Sequence, residues 1–203
     1  MSFHPLMEYD RAKFQKSERR TVEEGPPFTL TPDRRRQLDE ILGKYPPDRK
    51  RSAVLAALYL VQEQQGYLTA NGMRHIAPIV DMTPAEVDDV ATYYVMFFRE
   101  RVGKYVLQVC RTLSCALNGS ERVTEALSAR LGIKVGETDP SGMFTLLEFE
   151  CLGACDRAPV VMVNNEHWHE HASPESCAKL VDDIKARGAA ALSGCHLDVE
   201  KVR

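Results

Sequence analysis

Cys110 and Cys115, spaced C-x4-C, and Cys151 and Cys155, spaced C-x3-C, form two tight pairs, each just after an apolar run that reads as a strand. Thiols in that arrangement suit a shared metal site. In a [2Fe–2S] cluster each tetrahedral iron uses two bridging sulfides and two protein thiolates, so two local pairs on neighbouring loops can serve one iron each. Such a site is anionic and gains a further negative charge on reduction, so burying it requires donors. Gly153, inside Cys151-Leu152-Gly153-Ala154-Cys155, has no side chain to keep backbone N–H groups from sulfur, and Arg111 and Arg157 flank the pairs with positive charge. Both features raise the reduction potential. A structural zinc site also uses close cysteine pairs, although C-x2-C is its commoner spacing and C-x4-C occurs in plant-type [2Fe–2S] ferredoxins. A redox dithiol would use C-x-x-C, which the chain lacks.

The composition narrows the setting. Among 203 residues, 44% hydrophobic and 27% charged, there is enough apolar material for a core, and the formal net charge of -3 disfavours a dedicated nucleic-acid binder. No run approaches the roughly 18 apolar residues that cross a bilayer, and Met1 to Asp10 lacks the basic start and apolar stretch of a signal peptide. The expectation is a cytosolic or matrix-like compartment with no direct membrane insertion. Thiols stay reduced there, so the six cysteines point to metal binding or catalysis rather than to structural disulfides.

Two kinds of element must position the cysteines. Residues 1–30 are charged, mixed in sign and without apolar periodicity, and read as a mobile arm. Residues 31–100 read as a helical bundle. Thr31, Pro32 and Asp33 open a short helix that Gly43 stops; Ala53 to Gln65 is a central helix closed by Gly66; Ala70 to Val80 is a weaker one interrupted by Pro78; Thr83, Pro84 and Glu86 form a capping box before Val87, Val90 and Ala91. Residues 101–188 change character. Lys104 to Val109 reads as a buried strand delivering Cys110, Ser120 to Leu131 as a helix closed by Gly132, Met143 to Phe149 as a second strand ending near Cys151, and Val160 to Val163 as a third ending at the Asn164, Asn165 turn. Ser173 and Pro174 open a last helix. This order of strand, helix, two strands and helix implies an α/β domain with a small open sheet. Residues 189–203 read as a loosely held tail.

Other residues have plainer readings. Cys177 lies on the apolar stripe of the last helix and reads as a core thiol; Cys195 reads as a free thiol in the tail. His167, His169 and His171 alternate around Trp168 and could hold a divalent ion, but a solvated edge is the simpler reading. Tyr93, Tyr94, Phe97 and Phe98 read at helical spacing as core rather than as a docking patch, with part of their face left to meet a partner or the second domain, and Asp48 to Arg51 as a solvated helix start.

The residues also resemble a known family. Cys110-x4-Cys115, Glu150-Cys151-Leu152-Gly153-Ala154-Cys155-Asp156 and Ala158-Pro159-Val160 are similar to the thioredoxin-like [2Fe–2S] subunit of NADH dehydrogenases, as are Tyr45-Pro46, Gln62 to Leu68, Val87 to Val90 and Thr92-Tyr93-Tyr94 in the helical half. The likeness runs from about Leu30 to Ile184; Tyr93 stands where Phe is usual. It implies a thioredoxin-like domain behind a helical bundle. It further implies Cys110, Cys115, Cys151 and Cys155 as ligands of one [2Fe–2S] cluster that takes an electron from the FMN of a larger NADH-oxidising partner subunit in respiratory complex I. The place implied is the cytoplasmic side of the inner membrane, held peripherally through the complex. Related subunits occur in NAD-linked hydrogenases and formate dehydrogenases. No G-x-G-x-x-G follows a strand, so NADH and FMN are expected on the partner and no substrate-converting site on this chain.

Two readings from other classes compete. A helix-turn-helix regulator with a sensing cluster lacks a basic recognition helix, because Pro84 to Phe97 carries Glu86, Asp88 and Asp89 and no Lys or Arg. A zinc-stabilised interaction module with no redox role would differ in colour and metal content.

Overall fold

The computed structural model describes residues 22–192. The chain divides between Val102 and Gly103 into two compact units.

The first unit is helical. Helix α1 (Pro32–Leu42) begins at Thr31, whose hydroxyl accepts from the Arg34 N–H, and ends at Gly43. A 3-10 turn over Pro47–Ala53, containing the Asp48 to Arg51 run, leads into α2 (Val54–Gln65), which Gly66 stops in the left-handed region at φ 89°. Helix α3 (Ala70–Ile76) is shorter than its sequence suggests: it ends before Pro78, which cannot continue it. Helix α4 (Pro84–Tyr93) has the expected capping box, Thr83 with Glu86. Buried Leu38, Leu58, Val61, Ile76, Val87 and Phe97 join in one apolar core, where each such side chain contributes about 1.5–3 kcal/mol on leaving water.

Two readings change in this unit. Tyr93 is 79% exposed while Phe97 and Phe98 are buried: the helix ends at Tyr93 and Tyr94 is extended (φ -89°, ψ 116°), so helical spacing no longer applies. Residues 22–30, read from sequence as part of a mobile arm, lie against the helices. Ala70 N–H and Asn71 N–H donate to the carbonyls of Glu23 and Glu24 at 2.9 and 3.1 Å, Glu23 pairs with Arg101, and Glu24 pairs with Arg74. The charges that looked like solvated disorder find partners tens of residues away. Gly25 fits only as glycine: its φ is 73°, and a Cβ there would lie 2.6 Å from the Thr69 side chain. Residues 1–21 of the arm lie outside the described residues.

The second unit is built on a four-stranded sheet in the order β2-β1-β3-β4. Its strands are β1 (Tyr105–Cys110), β2 (Phe144–Phe149), β3 (Val161–Val163) and β4 (His167–His169). β1 and β2 run parallel; β1 with β3 and β3 with β4 run antiparallel. Between β1 and the next long helix lies a short one, α5 (Leu113–Leu117). Helices α6 (Ser120–Leu131) and α7 (Pro174–Arg187) cover one face, packing Val123, Leu127, Leu180 and Ile184 onto Leu107, Val109, Phe144, Leu146 and Val161. Asn164 and Asn165 make the β3–β4 turn at positive φ, and their side chains extend the pairing: Val106 N–H donates to Asn164 Oδ1 at 2.7 Å, and buried Gln108 bonds both Asn165 Oδ1 and Asn165 N–H. Of the segment read as a tail, Gly188–Leu192 forms a 3-10 turn that buries Leu192, and residues 193–203, with Cys195, lie outside the described residues.

Candidate metal centre

Parallel pairing of β1 and β2 sets Cys110 beside Phe149, the last residues of the two strands. The loops leaving both strands therefore start from the same end of the sheet. β3, antiparallel to β1, begins opposite Val109, so the loop entering it returns to that end as well. Backbone bonds lock the arrangement: Arg111 N–H to the Phe149 carbonyl and Cys110 N–H to the Val160 carbonyl, each at 3.0 Å. The first loop carries Cys115 on α5, and the second carries Cys151 and, on a 3-10 turn over Cys155–Arg157, Cys155.

The four sequence-predicted cysteines are brought together as two pairs in different settings. Cys110 and Cys115 are both 2% exposed and pack with Val160, Leu152, Ala154 and Trp168, whereas Cys151 and Cys155 are exposed. The sulfurs of Cys151 and Cys155 are 3.8 Å apart, about the separation of two thiolates on one tetrahedral centre with metal–sulfur bonds of about 2.3 Å. Among the described residues no three His, Cys, Asp or Glu side chains converge as a single-ion site would require.

Donors surround the sulfurs. Burial pushes the Cys110 thiol up, but bonds from the Thr112 hydroxyl and from the backbone N–H groups of Leu152 and Thr112 outweigh it and hold the thiol below its ordinary range. Cys115 is pushed up to about 11, by burial first and then by its bond to Cys110, while the Val160 N–H pulls the other way. Gly153 N–H, 3.4 Å from Cys151 Sγ, is the main cause holding Cys151 low, with the Thr112 hydroxyl second. Cys155 is held up by its bond to Cys151 and the charge there, against the Ser114 hydroxyl. Each pair thus holds one thiol lowered by N–H and O–H donors beside one raised in part by its neighbour. The charge on Cys110 is felt at both Cys151 and Cys155, so the pairs share one electrostatic neighbourhood. The donor set and the thiol separation fit a thiolate-bound cluster.

Gly153 stands where the sequence suggested, but the positive charge expected of Arg111 and Arg157 beside the pairs is offset by carboxylates. Arg111 pairs with Glu150 at 2.8 Å, and Arg157 reaches Glu170 rather than sulfur. The histidines do not gather. His169 Nε2 is 3.0 Å from Ser176 Oγ, with burial holding its pKa low, His167 faces Glu166 at 3.8 Å, and His171 leaves the strand at φ 48°. His167 and His169 are half-buried on β4, not a solvated edge. Cys177 is a core thiol, raised to about 11 by burial. The donors Thr112 and Ser114 were missed in the sequence. The one signal available was a hydroxyl residue two positions after a strand-end cysteine.

A small mixed sheet, helices on one face and paired thiols where its two parallel strands end define an α/β protein of the thioredoxin-like class. Residues 38–185 match the family described as thioredoxin-like [2Fe-2S] ferredoxin. The chain is 41% identical over 157 residues to the E subunit of the NADH-quinone oxidoreductase of Rickettsia felis, covering 77% of this chain and 93% of that one. It is 42% identical over 169 residues to the E subunit of the same enzyme from Mycobacterium tuberculosis, covering 81% of this chain and 66% of that one. It is 38% identical over 163 residues to the mitochondrial NADH dehydrogenase [ubiquinone] flavoprotein 2 of Dictyostelium discoideum, covering 80% and 66%. Among solved structures, an NAD+-reducing [NiFe]-hydrogenase in the H2-reduced state aligns with a TM-score of 0.59 at 19% identity, over 68% of this chain and 24% of that one, a likeness of fold. The chain belongs to the thioredoxin-like [2Fe-2S] ferredoxin family, in the branch of the NADH-quinone oxidoreductase E subunits.

Proposed function

We propose that this chain is the electron-transfer subunit of an NADH:quinone oxidoreductase, with Cys110, Cys115, Cys151 and Cys155 holding one [2Fe–2S] cluster that exchanges single electrons with the FMN of an NADH-oxidising partner. The observation that carries the reading is the gathering of two thiol pairs, one buried and one exposed, at one end of the β1–β2 sheet. The cluster supplies the one-electron capacity. The chain's own residues do the rest. Thiolates fix the irons, Leu152, Gly153 and Val160 N–H groups stabilise negative charge on sulfur, and Val160, Leu152 and Trp168 exclude water from the inner pair.

The exposed pair gives the site its outlet. Leu113 and Leu117, four residues apart on α5 and 75% and 79% exposed, present apolar surface on the helix whose buried Cys115 belongs to the site. A partner covering them would also approach Cys155, because α5 packs against the Cys155–Arg157 turn. Complex I is favoured as the host over a hydrogenase because the sequence identity near 40% is to NADH-quinone oxidoreductase subunits, whereas the hydrogenase likeness is one of fold. Among the described residues no helix is long and apolar enough to cross a membrane; the place proposed for the chain is the cytoplasmic side of the inner membrane, held through the complex.

NADH added to the purified chain should leave its cluster oxidised, and NADH added with the FMN-bearing subunit should reduce it, read as the appearance of a spin-half EPR signal. Reduction by NADH without the flavoprotein would contradict this assignment of roles.

A further inference from the structure

Among the described residues, five α-helices have a serine or threonine at the N-cap, the residue just before the first turn. At Thr31, Thr69, Thr83 and Ser173 the side-chain oxygen accepts from a first-turn N–H, of Arg34, Gly72, Glu86 and Ser176 respectively. Thr112, at the N-cap of α5, makes no such bond. A capping bond is typically worth about 1 kcal/mol, so a threonine in the capping position with its hydroxyl directed elsewhere calls for a reason. The hydroxyl lies 3.3 Å from Cys110 Sγ. The same hydroxyl helps to hold down the thiol of Cys151, which belongs to the other pair and the other loop. Thr112 therefore stands between the two halves of the site.

A ligand sulfur has no proton, so in a bond between Thr112 and Cys110 the hydroxyl must be the donor. A donor to sulfur stabilises the more negative of two charge states. We propose that Thr112 is a tuning residue, its hydroxyl diverted from capping α5 to donate to the ligand sulfur of Cys110, where it raises the reduction potential of the site. This rests on the reading of the four cysteines as cluster ligands. The step Thr112 biases is the gain of one electron with no bond made or broken, and the hydroxyl keeps its proton throughout.

The test compares the full chain, Thr112→Val and Thr112→Ser, each purified anaerobically and titrated against redox dyes with EPR and visible spectra. Valine keeps the shape and removes the donor, and it forfeits no capping bond. The expected result is an about tenfold shift toward the oxidised form at fixed ambient potential for Thr112→Val, equal to about 59 mV more negative for a one-electron couple, with Thr112→Ser close to the parent. A valine variant titrating with the parent, or a serine variant as low as valine, would overturn the proposal. So would a valine variant whose thermal midpoint falls while its potential stays. A parent chain with no cluster spectrum would overturn the electron-transfer reading itself, a result distinct from equal potentials in three cluster-bearing proteins.

Discussion

The guanidinium of Arg157 forks onto the carboxylate of Glu170, with Nη1 at 2.8 and 2.9 Å from its two oxygens. Arg157 ends the 3-10 turn that carries Cys155, and Glu170 follows directly on β4. Two backbone bonds run alongside, from His171 N–H to the Arg157 carbonyl and from Ala172 N–H to the Pro159 carbonyl, both at 2.8 Å. The fork thus staples the cysteine-bearing turn to the edge of the sheet, and both side chains are partly shielded from water.

Removing that staple should loosen the exposed half of the site. For Glu170→Ala, release of iron to a chelator, followed by loss of visible absorbance, should be about tenfold faster than in the parent, the low end of what is seen when a group behind a metal ligand is lost. Glu175→Ala, on exposed α7 surface, is the control and should release iron at the parent rate.

Acid should loosen the segment before α1. Leu30 N–H donates to His75 Nε2 at 3.3 Å, so that nitrogen carries no proton, and burial, with Arg35 behind it, holds the His75 pKa below its ordinary value. A histidine depressed in the folded state leaves stability intact above its unfolded pKa of about 6.5; as pH falls through that value the unfolded chain binds the proton first and stability is lost. The protection of the Leu30 amide against hydrogen exchange, corrected for intrinsic rate, should therefore fall below that pH. His75→Gln, which keeps an acceptor that does not titrate, should show a flatter profile.

Gly103 sets how closely β1 begins beside β2. A Cβ there would lie 2.8 and 2.9 Å from the backbone C and N of Phe144, and the Gly103 N–H donates to Thr145 Oγ1 at 2.6 Å. Gly103→Ala should destabilise the sheet unit by about 1–3 kcal/mol, read as a lower denaturation midpoint at unchanged slope.

Legibility in the sequence followed the range of the physics. The spans of α1 and α6 and the capping box of α4 could be read because a cap, a stripe and a terminal glycine are local signals. Helix α5 and strand β4, five and three residues long, carry too few turns or alternations to announce themselves. The cysteine pairs were visible as spacing, and the parallel strands explain why they meet. What spacing could not give was the inequality of the pairs: Cys110 faces away from the helix-covered side of the sheet into a pocket of Val160 and Trp168, contacts made only when β3 and β4 return. Thr112, Ser114 and Glu170 were hidden for the same reason. The anchoring of residues 22–30 also depends on distant partners, among them Arg74, His75 and Arg101.

Iron and acid-labile sulfide analysis of the anaerobically purified chain, with EPR before and after dithionite, tests the central claim most directly. Two irons and two sulfides per chain, silent when oxidised and giving a spin-half signal when reduced, is the result predicted for one [2Fe–2S] cluster on Cys110, Cys115, Cys151 and Cys155. Zinc without sulfide would contradict it and leave a structural module.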